Sequence, residues 1–222
     1  MPRETFQEAL EELRTDVQQL GELVLERLDR SLSALETADR ATAKRVIEGD
    51  EEINRRYLAL ESRCIDLFAL QQPVAGDLRF VAASFKILTD VERIGDLARN
   101  LAQYSLTADQ ETISDVAIPD IGAAARDLVA DALDAYGTED TALCHQVADR
   151  DDQIDALCHR ASERVVRDLI EREASPWSVE QVLDDVSIAL LIIRDLERVA
   201  DHGVNIAART LYLLENDSEL LY

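Results

Sequence analysis

The chain has 222 residues, 47% of them hydrophobic, and a formal net charge of −23. It is long enough for one helical domain or two small ones with a buried core, which excludes a disordered chain. So acidic a surface repels nucleic-acid phosphates, which excludes DNA and RNA as expected partners. Its only lysines are Lys44 and Lys86. An acidic surface nearly free of lysine favours adaptation to high salt over an ordinary mesophilic composition.

Long amphipathic runs, interrupted by few prolines and glycines, predict an all-α protein. The Thr37–Asp39 turn supplies a helix cap, and Pro73 and Gly76 break the chain before the third helix. Gly137 and Pro176 punctuate the second half in the same way. The predicted helices cover 5–36, 40–70, 77–106, 120–136, 138–173 and 178–214.

The two halves of the chain repeat each other. Residues 27–54 match 128–155 and, after a four-residue insertion, residues 84–106 match 189–211. The matches include identical polar residues in one register, which indicates a tandem duplication. Short turns predict that each unit is an antiparallel three-helix bundle, and helices of about 30 residues, about 45 Å long, predict an elongated molecule. The predicted division is a first three-helix unit at 1–106, a polar linker at 107–119 and a second unit at 120–222.

The most acidic part of the repeat is a heptad, DVERIGD at 90–96 and DLERVAD at 195–201. Apolar residues spaced three and four apart form a seam along each of these helices. In each heptad the Glu-x-x-x-Asp pair lies on the side away from that seam, one helical turn apart. A solvated acidic face is one explanation, although like charges four residues apart destabilise a lone helix.

The second and fifth helices carry a carboxylate within their own apolar seams. Asp50 and Asp151 occupy equivalent seam positions, and Asn54 and Asp155 follow one turn later. A buried carboxylate requires an ion-pair partner, hydrogen bonds or a cation. Two explanations stay open, namely metal binding and an ion pair with Arg93 or Arg198 of the neighbouring helix.

Oxygen-rich sets of this kind suit magnesium, manganese, calcium or iron better than structural zinc. Each half supplies four candidate ligands from two helices. The candidate metal ligands are Asp50, Asn54, Glu92 and Asp96 in the first cluster and Asp151, Asp155, Glu197 and Asp201 in the second. His202 is a further candidate ligand of the second cluster, although its counterpart in the first half is Leu97.

Other chemistry finds no support in the sequence. Cys64, Cys144 and Cys158 are odd in number and fit apolar seams, so we expect them to pack in the core. No nucleophile elbow, glycine-rich phosphate loop or di-iron Glu-x-x-His motif is present, and the chain is predicted not to be an enzyme. No membrane-length apolar run or signal peptide is found, which predicts a cytoplasmic protein.

The motifs resemble the PhoU family in the order in which that family shows them. The resemblance spans nearly the whole chain and includes the duplicated layout. The matching segments are Arg45-Val-Ile-Glu-Gly-Asp50 with Ile53-Asn54, Gln72-Pro73 before Asp77-Leu-Arg79, Glu92-Arg-Ile-Gly-Asp96, Asp151-x-x-Ile-Asp155 and Glu197-Arg-Val-Ala-Asp201.

This resemblance implies a cytoplasmic, usually homodimeric, non-enzymatic adaptor that negatively regulates phosphate uptake and signalling. It implies two partners, the ATPase of the phosphate ABC transporter and a membrane sensor histidine kinase. It also implies multinuclear iron or zinc clusters at the acidic motifs, which some family members carry. Asn54 departs from the family by replacing a carboxylate. The Asp77-Leu-Arg79 element has no clear equivalent in the second half, where Val182-Leu183-Asp184 aligns with it. The saline composition weakens the expectation of a kinase partner more than that of a transporter.

Three alternatives remain beside the adaptor. One is an accessory subunit of a sodium- or proton-coupled phosphate permease. Another is a structural acidic bundle without metal, whose heptads serve solubility. The third is a metal-carboxylate enzyme, which requires an open coordination position and a concave pocket.

Overall fold

The computed structural model describes residues 3–71, 75–108, 113, 116–171, 179–216 and 220. These residues form seven α-helices and no strand, which confirms the all-α prediction. No helix in this part of the chain is long and apolar enough to cross a membrane. The helices are α1 (Arg3–Thr37), α2 (Arg40–Glu48), α3 (Asp50–Gln71), α4 (Ala75–Tyr104), α5 (Ile118–Thr138), α6 (Thr141–Glu171) and α7 (Val179–Glu215).

The turn that precedes the second helix of each repeat has the same geometry twice. Ala38 and Glu139 occupy equivalent positions and both adopt left-handed backbone angles, with φ of 53° and 58°. The next residue caps the following helix in each case. The Asp39 carboxylate accepts hydrogen bonds from two backbone amides, and the Asp140 carboxylate accepts one from Leu143 N. The predicted cap is therefore confirmed.

One predicted helix is in fact two. The segment predicted as 40–70 breaks at Gly49, between α2 and α3. A Cβ atom placed on Gly49 would lie 3.0 Å from Nη2 of Arg27, so glycine leaves room for the buried guanidinium. The second half has Arg150 at the equivalent position, and α6 runs through it without a break.

Two predicted glycine breaks are wrong. Gly76 lies inside α4 and Gly137 inside α5. The chain turns instead at Glu139, whose left-handed backbone ends α5. Pro73 and Pro176 lie outside the described residues. So do six residues of the predicted linker, 109–112, 114 and 115, whereas Ile113 and Val116 within it are buried in the hydrophobic core.

The helices of the two halves share that core. Helices α4 and α7 pack against each other in the middle, α3 packs on α4, and α6 packs on α7. Helix α1 packs against α3 and α4, α5 packs against α6 and α7, and α1 and α5 also contact each other. Most core residues form one cluster drawn from both halves, and a second, small cluster of the first half consists of Ala34, Ala43, Val46 and Ala102. The two halves are therefore packed face to face around a shared core.

The contact between α1 and α5 is reciprocal. Gly21 lies against Leu133, and its repeat equivalent Gly122 lies against Leu32, the equivalent of Leu133. A Cβ atom on Gly21 or Gly122 would approach the leucine within 2.8 or 2.5 Å. Paired contacts of this kind mean that an approximate two-fold axis relates the halves.

Candidate functional site

The first acidic cluster joins the start of α3 to the middle of α4. Asp50 and Glu92 are half-buried, whereas Asp96 is exposed. Burial raises the pKa of the Asp50 carboxyl; Arg99 and Arg27 oppose the rise and Asp96 adds to it. Burial also raises the pKa of Glu92, with further contributions from the charges of Asp96 and Asp50. The structure therefore brings these three predicted carboxylates together. Asn54, the fourth predicted residue, lies one turn after Asp50 on α3.

Two arginines offset the negative charge of the first cluster. Arg99 Nε lies 3.8 Å from Asp50 Oδ2. Arg27 is only 7% exposed, and its Nη2 lies 3.8 Å from Glu52 Oε2. The alternative pairing of Asp50 with Arg93 is therefore wrong, because the neighbouring cations are Arg99 and Arg27. Burial lowers the pKa of Arg27, and its Nη1 has no hydrogen-bond partner among the described residues.

In the second cluster, between α6 and α7, less of the negative charge of the carboxylates is offset by neighbouring cations. The Oδ1 atom of Asp151 is buried and has no hydrogen-bond partner among the described residues. Burial raises the pKa of Asp151 to about 6, and the charges of Asp155, Asp201 and Glu197 reinforce the increase. All four carboxylates predicted for this cluster are thus close enough to act on one another.

The pKa values of Glu197 and Asp201 in this cluster are raised as well. Burial and the charges of Asp155 and Asp201 raise the pKa of Glu197. Burial and Asp155 raise the pKa of Asp201, against the opposing charges of His202 and Arg198. Arg198 does not pair with Asp151 as the ion-pair alternative required, since its Nη1 lies 3.8 Å from Asp195 Oδ1.

The repeat register explains the difference between the clusters. The positions equivalent to Arg27 and Arg99 hold Leu128 and Val204, and the position equivalent to Asn54 holds Asp155. The first cluster therefore has two cations and one amide where the second has two apolar residues and one carboxylate. The second cluster carries more uncompensated negative charge.

The donor set of the second cluster fits a cation. It offers three carboxylates with raised pKa values, and one buried oxygen in it has no partner within the part of the chain that the structure describes. This is the environment that a hard cation neutralises. Among the described residues, no three His, Cys, Asp or Glu side chains already stand in position to hold one ion. Binding therefore requires rotation of side chains such as the exposed Asp155 and Asp201.

Two buried aspartates between the halves have no role assigned to them in the sequence analysis. Asp90 and Asp195 occupy equivalent places in the heptads and are 5% and 0% exposed. Asp90 accepts a 2.8 Å hydrogen bond from Arg209 Nε, across the contact between the halves. Asp195 accepts hydrogen bonds from Tyr104 and from Asn100 in the opposite half, at 3.2 and 3.4 Å.

The sequence contains a pattern that could have identified these two aspartates. Both are identical in the two repeats, and Asp90 lies three residues after Ile87 and four before Ile94, on the apolar seam. The structure uses them to hold α4 against α7 rather than to extend the acidic clusters.

His202 belongs to the same contact. Its Nδ1 lies 3.0 Å from Asp90 Oδ1, in the opposite half of the chain. Only one ring nitrogen therefore remains available to the second cluster, for which His202 was a candidate ligand. The side chain also lies close enough to both clusters for its charge to affect the pKa values of Glu92 and Asp201.

The prediction that the cysteines pack in the core is confirmed. Cys64, Cys144 and Cys158 are all buried, each at most 1% exposed. Burial and the nearby carboxylates raise the pKa of the Cys158 thiol to about 12. The thiol next to the second cluster is thus held in its protonated form, in which it is a poor metal ligand.

Comparison with known proteins finds the same duplication. A family model described as the PhoU domain matches the chain twice, at residues 17–105 and 118–210. A phosphate-specific transport system accessory protein PhoU homolog of Pseudomonas putida is 34% identical over 212 residues, which cover 94% of this chain and 80% of that protein. The homolog of Clostridium acetobutylicum is 30% identical and covers 96% of each chain.

Solved structures agree with this assignment. The crystal structure of the phosphate transport system regulatory protein PhoU from Streptococcus pneumoniae superposes with a TM-score of 0.86 at 30% identity, covering 96% of this chain and 98% of that one. PhoU from Pseudomonas aeruginosa superposes with a TM-score of 0.85 at 29% identity, covering 96% and 100%. With both family domains, the full-length relatives and the shared fold in agreement, this chain belongs to the PhoU family.

Proposed function

We propose that this chain is a regulatory accessory protein of phosphate transport, working by binding rather than by catalysis. The observation that carries the proposal is similarity along the whole chain, in both repeats, to proteins named as accessory or regulatory components of phosphate transport. Similarity confined to one bundle would have supported only a shared fold.

In this proposal the protein is a cytoplasmic homodimer that negatively regulates phosphate uptake. Its partners are the ATPase of the phosphate ABC transporter and, where the host has one, a sensor histidine kinase. The net charge of −23 supports protein partners with basic surfaces over nucleic acids.

The regulation is tested by phosphate uptake in the native host. Deleting the gene should raise the uptake of radiolabelled phosphate in phosphate-replete medium, and restoring the wild-type gene should lower it again. Unchanged uptake in the deletion strain would overturn the regulatory proposal. Light scattering during size-exclusion chromatography checks the homodimer.

The metal proposal is a separate part of this function. We propose that the second cluster binds a cation, either iron or zinc as in some family members, held by Asp151, Asp155, Glu197 and Asp201. The bound charge would neutralise the facing carboxylates and hold α6 to α7. The buried Oδ1 of Asp151, which has no partner among the described residues, and the raised pKa of Asp151 support this part of the proposal.

Elemental analysis by ICP-MS on untagged protein purified without chelator tests the cation. Stoichiometric metal should be present in the wild type and lost in Glu197→Ala/Asp201→Ala. The matched variant of the first cluster, Glu92→Ala/Asp96→Ala, should retain most of the metal, because Arg27 and Arg99 already compensate that cluster. Metal-free wild type, even after incubation with iron or zinc, would refute the cation site and leave the regulatory proposal intact.

A further inference from the structure

Three exposed arginines form a line on α6, and we call Arg160, Arg164 and Arg167 the arginine stripe. Residues spaced four and three apart lie on one face of a helix. Together with Glu163 and Asp168, the three arginines line a single surface depression of about 320 Å³. Arg164 Nε lies 3.9 Å from Asp168 Oδ2, whereas Arg160 and Arg167 form no ion pair with a described residue. In a chain with 46 acidic and 23 basic residues, this row of cations indicates a binding surface for negative charge.

Only one position of the arginine stripe is basic in both repeats. Arg164 aligns with Arg63, whereas the other two positions align with Ala59 and Asp66. The side chain of Arg63 is 29% exposed and that of Arg164 is 60% exposed. The second repeat therefore presents three arginines to solvent where the first repeat has one that is largely covered.

The first repeat shows what an arginine at this position binds. Arg63 on α3 pairs through Nη2 with Glu12 at 2.6 Å and through Nη1 with Asp16 at 2.5 Å, and both carboxylates belong to α1. The equivalent positions of the second repeat hold Ile113 and Ala117, and α5 begins after them, so it brings no equivalent carboxylate to the arginine stripe. The counterpart of the stripe thus binds carboxylates four residues apart on a helix, which indicates an acidic helix rather than a free anion as the partner of the stripe.

Helix α1 carries a second row of carboxylates that matches the arginine stripe. Glu4, Glu8 and Glu11, which we call the glutamate stripe, are exposed and have the same spacing of four and three residues. They lie on the side of α1 away from its buried residues, such as Leu10 and Leu13. None of the three glutamates forms an ion pair with a residue that the structure describes. The glutamate stripe is therefore available to another chain.

Each stripe lies beside the start of a long central helix. The glutamate stripe lies beside the start of α4, where Gln7 Nε2 donates a 3.3 Å hydrogen bond to Asp77 Oδ1. The arginine stripe lies near the end of α6, which leads into the start of α7. The relative direction of α4 and α7 thus decides how the stripes are arranged in the molecule.

The stripes lie at opposite ends of the molecule but on one side of it. Helices α4 and α7 are antiparallel, because Asp90 contacts Arg209 whereas the later Tyr104 contacts the earlier Asp195. The arginine stripe lies on the α5 side of α6, as its counterpart lies on the α1 side of α3, and the glutamate stripe lies on the outer side of α1. Two antiparallel chains related by a two-fold axis can therefore place each glutamate stripe against the arginine stripe of the other chain. Such a contact is reciprocal and closes as a dimer.

We propose that the arginine stripe of one chain binds the glutamate stripe of a second copy, reciprocally, across the homodimer. The inference rests on the homodimer of the proposed function and names its contact. Matched rows of opposite charge fix the orientation and register of two surfaces, and they exclude partners that present like charge. The two stripes thus specify an antiparallel pair of chains.

Reversing the charge of each stripe separately tests this contact. The two reversed variants are Arg160→Glu/Arg164→Glu/Arg167→Glu and Glu4→Arg/Glu8→Arg/Glu11→Arg. All six substituted side chains are exposed, so circular dichroism should show that both variants fold as the wild type does. Each variant places like charges opposite one another at both contacts of its dimer. Analytical ultracentrifugation should therefore give a dimer dissociation constant at least about tenfold higher than that of the wild type.

Mixing the two reversed variants is the sharper test. An equimolar mixture should dimerise about as tightly as the wild type, because the heterodimer again pairs glutamates with arginines at both contacts. Misfolding of either variant cannot produce this rescue. The control variant Lys44→Glu/Arg93→Glu reverses two exposed cations outside both stripes and should leave the dimer unchanged.

Three other outcomes would overturn the inference. Reversed variants that dimerise as the wild type does would place the stripes outside the interface and leave the arginine stripe to an acidic helix of another protein. Loss of the dimer in both variants without rescue in the mixture would show that the stripes do not face each other. A monomeric wild type would overturn both this contact and the proposed homodimer. The regulatory function is tested separately, by phosphate uptake in the deletion strain, and stands or falls independently of these results.

Discussion

Arg209 on α7 donates a 2.8 Å hydrogen bond to Asp90 on α4, and its repeat equivalent Tyr104 donates a 3.2 Å hydrogen bond to Asp195. The same two repeat positions thus hold the halves together from both sides of the approximate two-fold axis. The donor differs, a guanidinium on one side and a phenol on the other. On the tyrosine side the charge of Asp195 is matched by Arg194 of its own helix, at 2.8 Å.

Substitution of Asp90 should destabilise the whole chain. Asp90→Ala leaves the partly buried Arg209 and His202 without their shared acceptor. Loss of one partner of a buried ion pair costs about 3–5 kcal/mol, and because Arg209 is partly exposed we expect about 3 kcal/mol. Urea unfolding measures the change. Asp149→Ala, on an exposed part of α6, is the control and should stay within about 0.5 kcal/mol of the wild type. Equal stability of the two variants would mean that the Asp90 contact does not hold the halves.

The second cluster should make stability fall as the pH rises. The pKa of Asp151 is raised from 3.8 to about 6, so between these values the folded chain binds a proton that the unfolded chain has released. The stabilising contribution is therefore complete below about pH 4 and is lost as the pH rises through 6. Because the side chain is partly solvated, the loss at pH 7 is at most about 2 kcal/mol.

Asp151→Asn isolates this contribution. The free energy of unfolding should be measured for the wild type and the variant between pH 4 and 7, and the difference between them should shift in favour of the variant as the pH rises. The bound cation proposed above should remove most of that shift for the wild type at pH 7. A constant difference across this range would contradict the raised pKa of Asp151.

Exchanging residues between the repeats should transfer cation affinity. Arg27→Leu/Arg99→Val gives the first cluster the residues found at the equivalent places of the second. Removing the two competing positive charges should strengthen binding of Mn²⁺ at the first cluster at least about tenfold, or 1.4 kcal/mol. Isothermal titration calorimetry measures it in a Glu197→Ala/Asp201→Ala background, in which the second cluster is disabled.

The reverse exchange is the matched control. Val204 is half-buried and stands where the first half has Arg99. Val204→Arg should weaken Mn²⁺ binding at the second cluster while leaving the first cluster unchanged. If neither exchange alters affinity, the arginines do not account for the difference between the clusters.

Local and repeated features could be predicted from the sequence, and tertiary ones could not. The caps at Asp39 and Asp140 depend on neighbouring amides, so the motif alone reveals them. The break at Gly49 accompanies a contact with Arg27 on another helix, and no pattern within 40–70 indicates it. The partners of Asp90 lie more than 100 residues away, at His202 and Arg209.

The carboxylate clusters could be predicted from the sequence only in part. Helical periodicity places Asp151 and Glu197 on facing helices, because each position follows from its own seam. Periodicity cannot identify which arginine pairs with a carboxylate, because that depends on the packing of one helix against the next. Asp50 thus lies near Arg99 rather than the predicted Arg93.

Filling the contact between α5 and α7 should destabilise the second bundle. A Cβ atom on Gly203 would overlap Leu128 Cδ2 and would lie 3.4 Å from the backbone of Val129, and Leu128 is fully buried. Gly203→Leu gains about 1 kcal/mol of helix propensity, but the overpacking costs up to about 3 kcal/mol or more, so we expect net destabilisation of about 2 kcal/mol.

Gly76→Leu separates packing from propensity. Gly76 also lies in a helix, but a Cβ atom there meets nothing within 4 Å. Thermal unfolding should therefore show an unchanged or higher Tm for Gly76→Leu and a lower Tm for Gly203→Leu. Gly203 lies two residues after Asp201, so a shift of α7 should also weaken cation binding at the second cluster. A Gly203→Leu variant as stable as Gly76→Leu would show that α5 and α7 can separate without cost.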